Sequence, residues 1–490
     1  MSAHFHRLTT AVVVAVSGAV LATVSPVDAQ SPALVAKARA IHERVITLDT
    51  HNDISPNNFR DNCNYTMRLT TQVNLPKMKE GGLDVSFMIA YVGQGPLTPE
   101  GFESAYRQTV AKFDAVHRLT GQIAPNEIEL ALTPADVVRI AKSGKKVAVI
   151  GIENGYGIGM DLERVKEFWT RGGRYMSLAH NGNSQLADSN STEAGNGGIH
   201  GGLSPLGKQV IAEMNKWGIM VDISHPSKQA NLQAIALSKA PVIASHSAVR
   251  ALADHTRNLD DELLMALKKN GGVMQTVAFA SYVKVDDAAG DRRDAVAALN
   301  AEFGIVAAGR GGGRGGGGRG ARAGGAGGGG GRGGAGGGAA EPPPCNVEDP
   351  NGVAPAGRGG RGGGGGRGGG NPAALDALTP ARRAEYDAKV ADIQAKYPVP
   401  ERAAVADFVS HIDYAVKLIG IDHVGISSDF DGGGGVVGWN SAAESFNVTL
   451  ELVKRGYTEE EIGKLWSGNL LRVWAEVENV AKQIQASGGQ

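Results

Sequence analysis

Cysteine is almost missing from this chain: among 490 residues only Cys63 and Cys345 occur. Two lone cysteines make no zinc finger, so any metal chemistry has to come from histidine and carboxylate. An oxidising compartment would permit a disulfide, but Cys345 falls in a low-complexity stretch and spacing alone does not place it beside Cys63. Net charge is also scarce. With 49 basic and 50 acidic residues the formal charge is −1, which argues against nucleic acid as a main partner. Long hydrophobic runs are lacking too. The apolar run at 11–24 is too short to span a bilayer comfortably, no cysteine follows it to carry a lipid, and no second apolar span occurs. No membrane anchor is therefore expected. The run fits an export signal: Arg7 precedes it, and Val27-Asp28-Ala29 offers small residues at the −3 and −1 positions of a cleavage site. The expectation is a signal peptide at 1–29 and an exported chain, periplasmic or secreted, starting near Gln30.

What is present divides unevenly. Hydrophobic residues make up 42% of the chain, enough for a substantial core. Glycine and arginine crowd into 307–370, which holds eight arginines and three acids. Outside it remain 41 basic and 47 acidic residues, a net charge of −6. Such a composition cannot bury apolar surface, and a disordered excursion is expected there. Arg-Gly-Gly repeats can bind RNA, but an exported chain rarely meets it, so a solvated spacer or surface-binding loop is the reading. Segments 30–306 and 371–490 are then two parts of one catalytic domain.

Eight short apolar or β-branched runs can be marked, at 45–53, 83–92, 146–155, 174–181, 219–225, 241–247, 272–279 and 423–432. Runs such as VAVIGI and IMVDIS lack polar alternation, as parallel strands covered on both faces do. Helix-like segments separate most of them; Ser204-Pro205 before LGKQVIAEMNKWG supplies a cap, a first-turn proline and a terminating glycine. Repeated strand–helix alternation predicts an α/β fold, a (β/α)8 TIM-like barrel with the Gly/Arg-rich insertion between its seventh and eighth strands.

Polar residues recur at the ends of these runs: His51 and Asp53 in LDTHND, Glu153 in VIGIENG, His180 in MSLAHNGN, His225 in VDISH, His246 in VIASHS and Asp429 in VGISSDFDG. The strand C-termini of a barrel open onto one face, so these residues should converge. Histidines and carboxylates together suit zinc. His51 and Asp53 are two apart and point to one side of a strand. Taken singly, a strand-end histidine is more often structural, and Asp431 has the look of a turn residue.

The stretches THNDISPN, QVNLPKMKEGGLDVSFMIAYV, GIENG, YMSLAHNGNSQLADS, LSPLGKQVIAEMNKWGIMVDISHPS, PVIASHSAVRALADHTRNLDDELL and HVGISSDFDG resemble the membrane (renal-type) dipeptidases, peptidase family M19, among the amidohydrolase-like metal-dependent hydrolases. The resemblance implies a zinc-dependent dipeptidase with two zinc ions per chain and a metal-bridging hydroxide. His51 and Asp53 would bind one metal, His225 and His246 the other, and Glu153 both. His180 would touch the substrate or developing oxyanion, Arg257 would hold the substrate's terminal carboxylate, and Asp429 would carry the proton. Read without the resemblance, Arg257 is a surface residue paired with Asp260 or Asp261. The family often forms dimers, so a homodimer is expected. Asn154 departs from the family, which often has glycine there, and so does the insertion. Two other readings stand beside this one: a related binuclear hydrolase acting on another amide or ester, and a non-catalytic binding protein on the same scaffold. The presence of every expected ligand argues against the latter.

Overall fold

The computed structural model describes residues 31–193, 197–305, 344–348 and 372–488. The expected signal peptide at 1–29 lies outside them, as does the Gly/Arg-rich insertion apart from its short stretch 344–348. Eight parallel strands, β1 (Leu48–Asp53), β2 (Val85–Tyr91), β3 (Lys146–Glu153), β4 (Gly173–Ser177), β5 (Met220–Asp222), β6 (Ile243–Ser247), β7 (Val273–Val277) and β8 (Val424–Ser427), pair in sequence order. A short strand, Ile128–Leu130, adds to the edge of β3.

Each barrel strand falls on one of the eight expected runs, because strands walled by side chains on one face and helices on the other carry apolar residues throughout. On β2 and β3 the alternation survives within the apolar set. Val85, Phe87, Ile89, Val147 and Val149 face one core with Trp474, while Met88, Ala90, Ala148, Ile150 and Ile152 pack in the larger core. The ring of Trp474, from helix Asn469–Ala486, lies 6.3 Å from that of Phe87.

The barrel closes between β8 and β1. Asn52 bridges Phe430, and the Asp53 N–H donates to the Phe430 carbonyl at 2.9 Å. Asp49 clasps the seam: its buried carboxylate accepts the Ser428 N–H at 2.9 Å, the Ser428 hydroxyl, and the Asn52 amide at 2.7 Å. Around the strands, helices start on a shared signal in which a Ser or Thr cap is followed by proline: Ser31, Thr98, Thr133, Ser204 and Thr379 each accept from the backbone two or three residues into the helix. Helix Pro205–Trp217 ends at Gly218 in the left-handed region, φ 82°.

Between β7 and β8 the chain leaves the barrel. Helices Ala289–Glu302 and Pro380–Lys396 pair through a separate small core of Leu299, Phe303, Ile305 and Tyr386. Stretch 344–348 returns to the loop after β1. A disulfide joins Cys63 to Cys345, the Thr70 N–H donates to Asn346 at 2.8 Å, and Glu348 pairs with Lys77 at 2.6 Å and Arg68 at 2.9 Å. Part of the stretch expected to be disordered is thus fixed in place, and the two cysteines meet. Among the described residues no helix is long and apolar enough to cross a membrane.

Candidate metal centre

The C-terminal ends of the strands bring the expected residues together. Glu153 sits at the centre. Its carboxylate lies 2.7 Å from His225 Nε2, 3.4 Å from His246 Nε2, 3.6 Å from His51 Nε2 and 3.8 Å from His180 Nε2. Two groups fit around a cation each: His51, Glu153 and His246, and Glu153, His180 and His225. Glu153 belongs to both. His225 and His246 approach to 2.9 Å between their Nε2 atoms, so the two groups are contiguous. Asp429 Oδ1 is 4.0 Å from His51 Nε2. A Cβ added to Gly432 would meet both Asp429 and Asp53, which puts the two carboxylates close together beside that glycine.

His180, His225 and Asp429 do not close strands. β4 ends at Ser177, β5 at Asp222 and β8 at Ser427, so all three residues ride on the loops beyond, where the chain turns them inward. The non-glycine residues with positive φ among the described ones gather here: Asn154 at 74°, Asp429 at 58° and Asp431 at 62°. Strained backbone of this kind persists where surroundings over-determine it. Asn154 accepts the Tyr156 N–H at 3.2 Å and donates to Val92 at 3.1 Å, while its own N–H donates to Ser177 at 2.9 Å. The left-handed turn after Glu153 explains why glycine suits this position and why asparagine, tolerant of that region, replaces it. Asp431 accepts from the Gln72 and Val73 N–H groups at 2.9 and 3.3 Å; it shapes the turn, as read from sequence.

Neighbours fix which ring nitrogens face inward. The Tyr175 hydroxyl donates to the Thr50 carbonyl at 3.0 Å, so it accepts from His51 Nδ1 at 2.8 Å and leaves His51 Nε2 for the site. Ser245 donates to Asp222 at 2.7 Å and thus accepts from His246 Nδ1 at 2.7 Å. Such partners orient metal-binding imidazoles. Gly151 makes room for this: a Cβ there would lie 2.3 Å from the Tyr175 ring. Sequence reasoning passed over Tyr91, Tyr175, Asp222 and Lys112; the polar signal for each was a single residue within an apolar strand or helix face.

Burial sets the charges. It holds His225 and His246 well below the usual histidine range and His180 down to about 4, so their rings are neutral. Burial, reinforced by Glu153, pushes Asp53 up to about 6, and burial with Glu153 and Asp53 pushes Asp429 up to about 8. Burial works against a charge on Glu153 as well, yet His51, His180 and His225 hold it well below the usual carboxyl range. His51 rises to about 9, because Glu153, Asp429 and Asp53 together overcome the burial that would lower it. Two buried polar atoms, Asp53 Oδ1 and His225 Nδ1, have no partner. Neutral imidazoles and crowded carboxylates with an unmatched oxygen fit divalent cations, which take such N and O donors.

Arg257 is 3% exposed, which corrects the surface ion-pair alternative; Asp260 pairs with Lys228 instead. Arg257 Nη2 donates to the His246 carbonyl at 3.3 Å and lies 3.1 Å from His225 Nε2, while its Nε and Nη1 are buried without partners.

A closed parallel barrel whose mouth gathers four imidazoles and two aspartates about one buried glutamate defines a metal-binding barrel of the hydrolase class. The family model for membrane dipeptidase (peptidase family M19) matches residues 35–488, and the chain belongs to that family, a hydrolase of the metallo-dipeptidase class. It is 26% identical over 454 residues to the dipeptidase aclJ of Aspergillus oryzae, covering 90% of this chain and 80% of that protein. To the dipeptidase tcpJ of Claviceps purpurea it is 26% identical over 421 residues, covering 85% and 72%. The crystal structure of the probable dipeptidase PvdM from Pseudomonas aeruginosa superposes with a TM-score of 0.67 at 29% identity, covering 92% of this chain and 100% of that one.

Proposed function

We propose that this chain is an exported dipeptidase that binds two zinc ions at the barrel mouth. The observation that carries the reading is Glu153, buried and shared by two groups of imidazoles. His51 and Asp53 would hold one ion, His225 and His246 the other, and Glu153 both; His246, which groups with His51 in the structure and lies 2.9 Å from His225, stands between the two positions. When bound, such a pair supplies a water acidified to near neutrality and a Lewis acid for the scissile carbonyl.

The chain's own residues do the rest. Asp429, with its carboxyl raised into the neutral range by burial, takes a proton from the attacking water and returns it to the leaving amine. His180 lies 3.8 Å from Glu153 and is kept neutral by burial; it donates an N–H to the oxygen that gains charge as the carbonyl is attacked. Arg257 offers two buried donor nitrogens without partners, Nε and Nη1, on a guanidinium whose charge suits a carboxylate. With the substrate's C-terminus gripped so close to Glu153, only one residue fits on the carboxyl side of the cut bond. Export is supported by the Arg7 flank and apolar run, and by the disulfide Cys63–Cys345, which persists in oxidising compartments. The boundaries 1–29, 30–306, 307–370 and 371–490 remain our division of the chain.

The test is release of free amino acids from dipeptides by the purified, zinc-supplied chain before and after chelation. Chelator-sensitive release supports the reading. Bound zinc without dipeptide cleavage would move the reaction to another amide or ester. A chain that takes up no metal would overturn the proposal.

A further inference from the structure

Helix Pro99–Arg118 buries Ala105, Thr109, Phe113, Ala115 and Val116. Half-buried Lys112 stands three residues after Thr109 and three and four before Ala115 and Val116, at the edge of the inward stripe. Its ammonium lies 5.1 Å from the centre of the Tyr91 ring. Tyr91 ends β2 at the mouth, and its ring is 4.7 Å from that of His180. Burial holds the Lys112 ammonium below the usual lysine range, against the pull of Asp53 and Glu153. Among the described residues no carboxylate comes within ion-pair distance of it.

Lys112 is half-buried, so its ammonium, held partly out of water beside Tyr91 with no ion-pair partner among the described residues, is left to pair with an anion that a ligand brings. Direction follows from placement. Arg257 lies beside His225, on the β5–β6 side; Lys112 lies beside Tyr91, at the end of β2. A dipeptide with its carboxylate on Arg257 and its scissile bond over Glu153 extends its amino-terminal residue toward β2.

We propose that Lys112 is a specificity-determining residue that binds the side-chain carboxylate of an acidic amino-terminal residue, so that the preferred substrates begin with glutamate or aspartate. The inference rests on the dipeptidase reading above and deepens it. The amide isostere fills the same space without charge, which makes glutamine against glutamate the clean contrast.

The experiment compares Glu-Ala with Gln-Ala on the zinc-loaded full chain. The wild type is expected to favour Glu-Ala in kcat/KM by about tenfold or more, as for a charge-assisted contact in a partly buried site, and the preference should shrink as salt is raised. Lys112→Met is expected to remove that preference, lowering kcat/KM for Glu-Ala at least about tenfold more than for Gln-Ala. Lys112→Arg, which keeps the charge, should retain much of it. Zinc content and melting temperature verify that each variant is folded, and the wild-type comparison stands without any variant. Equal turnover of the two substrates by the wild type, or a preference that survives Lys112→Met, overturns the role of Lys112 while leaving the dipeptidase reading intact. Failure to cleave any dipeptide would overturn that reading, and this inference with it.

Discussion

The two sides of the mouth are built from opposite materials under the same physical pressure. On the β1 side stand carboxylates, Asp53 and Asp429, with His51 raised to about 9 among them. On the β5–β6 side stand imidazoles, His225 and His246, held neutral, with Arg257 behind them. Burial disfavours charge in both places. It pushes the carboxyls of Asp53 and Asp429 up and the imidazoles of His225 and His246 down. Glu153 joins the halves and stays ionised because the imidazoles face it. The β1 side thus carries a deficit, an unmatched carboxylate oxygen at Asp53, that a cation there relieves.

The strongest way to break this division is Glu153→Gln. Losing the shared carboxylate should strip both metals together and leave turnover undetectable, as read by metal analysis and dipeptide assay. Asp429→Asn comes next. It should keep both metals yet lower kcat by about 10²–10⁴-fold, the usual worth of a general base; an emptied site would make Asp429 a ligand instead. Arg257→Gln should act through KM, with kcat/KM falling about 10- to 100-fold, the value of a charged hydrogen-bond pair. Asp222→Asn tests the imidazole half alone. Acting through Ser245 on His246, it should weaken metal binding about 10- to 100-fold.

The smallest effect concerns pH. In the metal-free protein His51 holds its proton at neutral pH, because its pKa lies near 9. A metal must displace that proton, so zinc uptake should release protons and tighten as pH rises toward about 9. Calorimetry in buffers of different ionisation enthalpy reads the release directly. Uptake without proton release would show that His51 is not a ligand.

Much of this was legible in the chain. The eight strands announced themselves because parallel strands covered on both faces carry unbroken apolar runs, and the site residues stood out as polar interruptions at their ends. Strand ends were less clear: VDISH and VGISSDFDG run on as if paired, yet pairing stops at Asp222 and Ser427, since the loops continue buried in the mouth. Arg257 looked like a surface residue because its neighbours Asp260 and Asp261 are acidic, and only the turn of the loop buries it. The contact between Cys63 and Cys345 depends on chain geometry across 282 residues, which no local pattern encodes. Helices Ala289–Glu302 and Pro380–Lys396 were hidden because their core rests on a few residues, Leu299, Phe303 and Tyr386, in otherwise polar segments.

The most direct test of the shared centre is metal stoichiometry by mass spectrometry, comparing the zinc-loaded wild type with Glu153→Gln. The account predicts two zinc ions per wild-type chain and none retained by the variant. A single ion in the wild type, or one ion still firmly held after Glu153→Gln, would contradict a centre in which one carboxylate serves both sides.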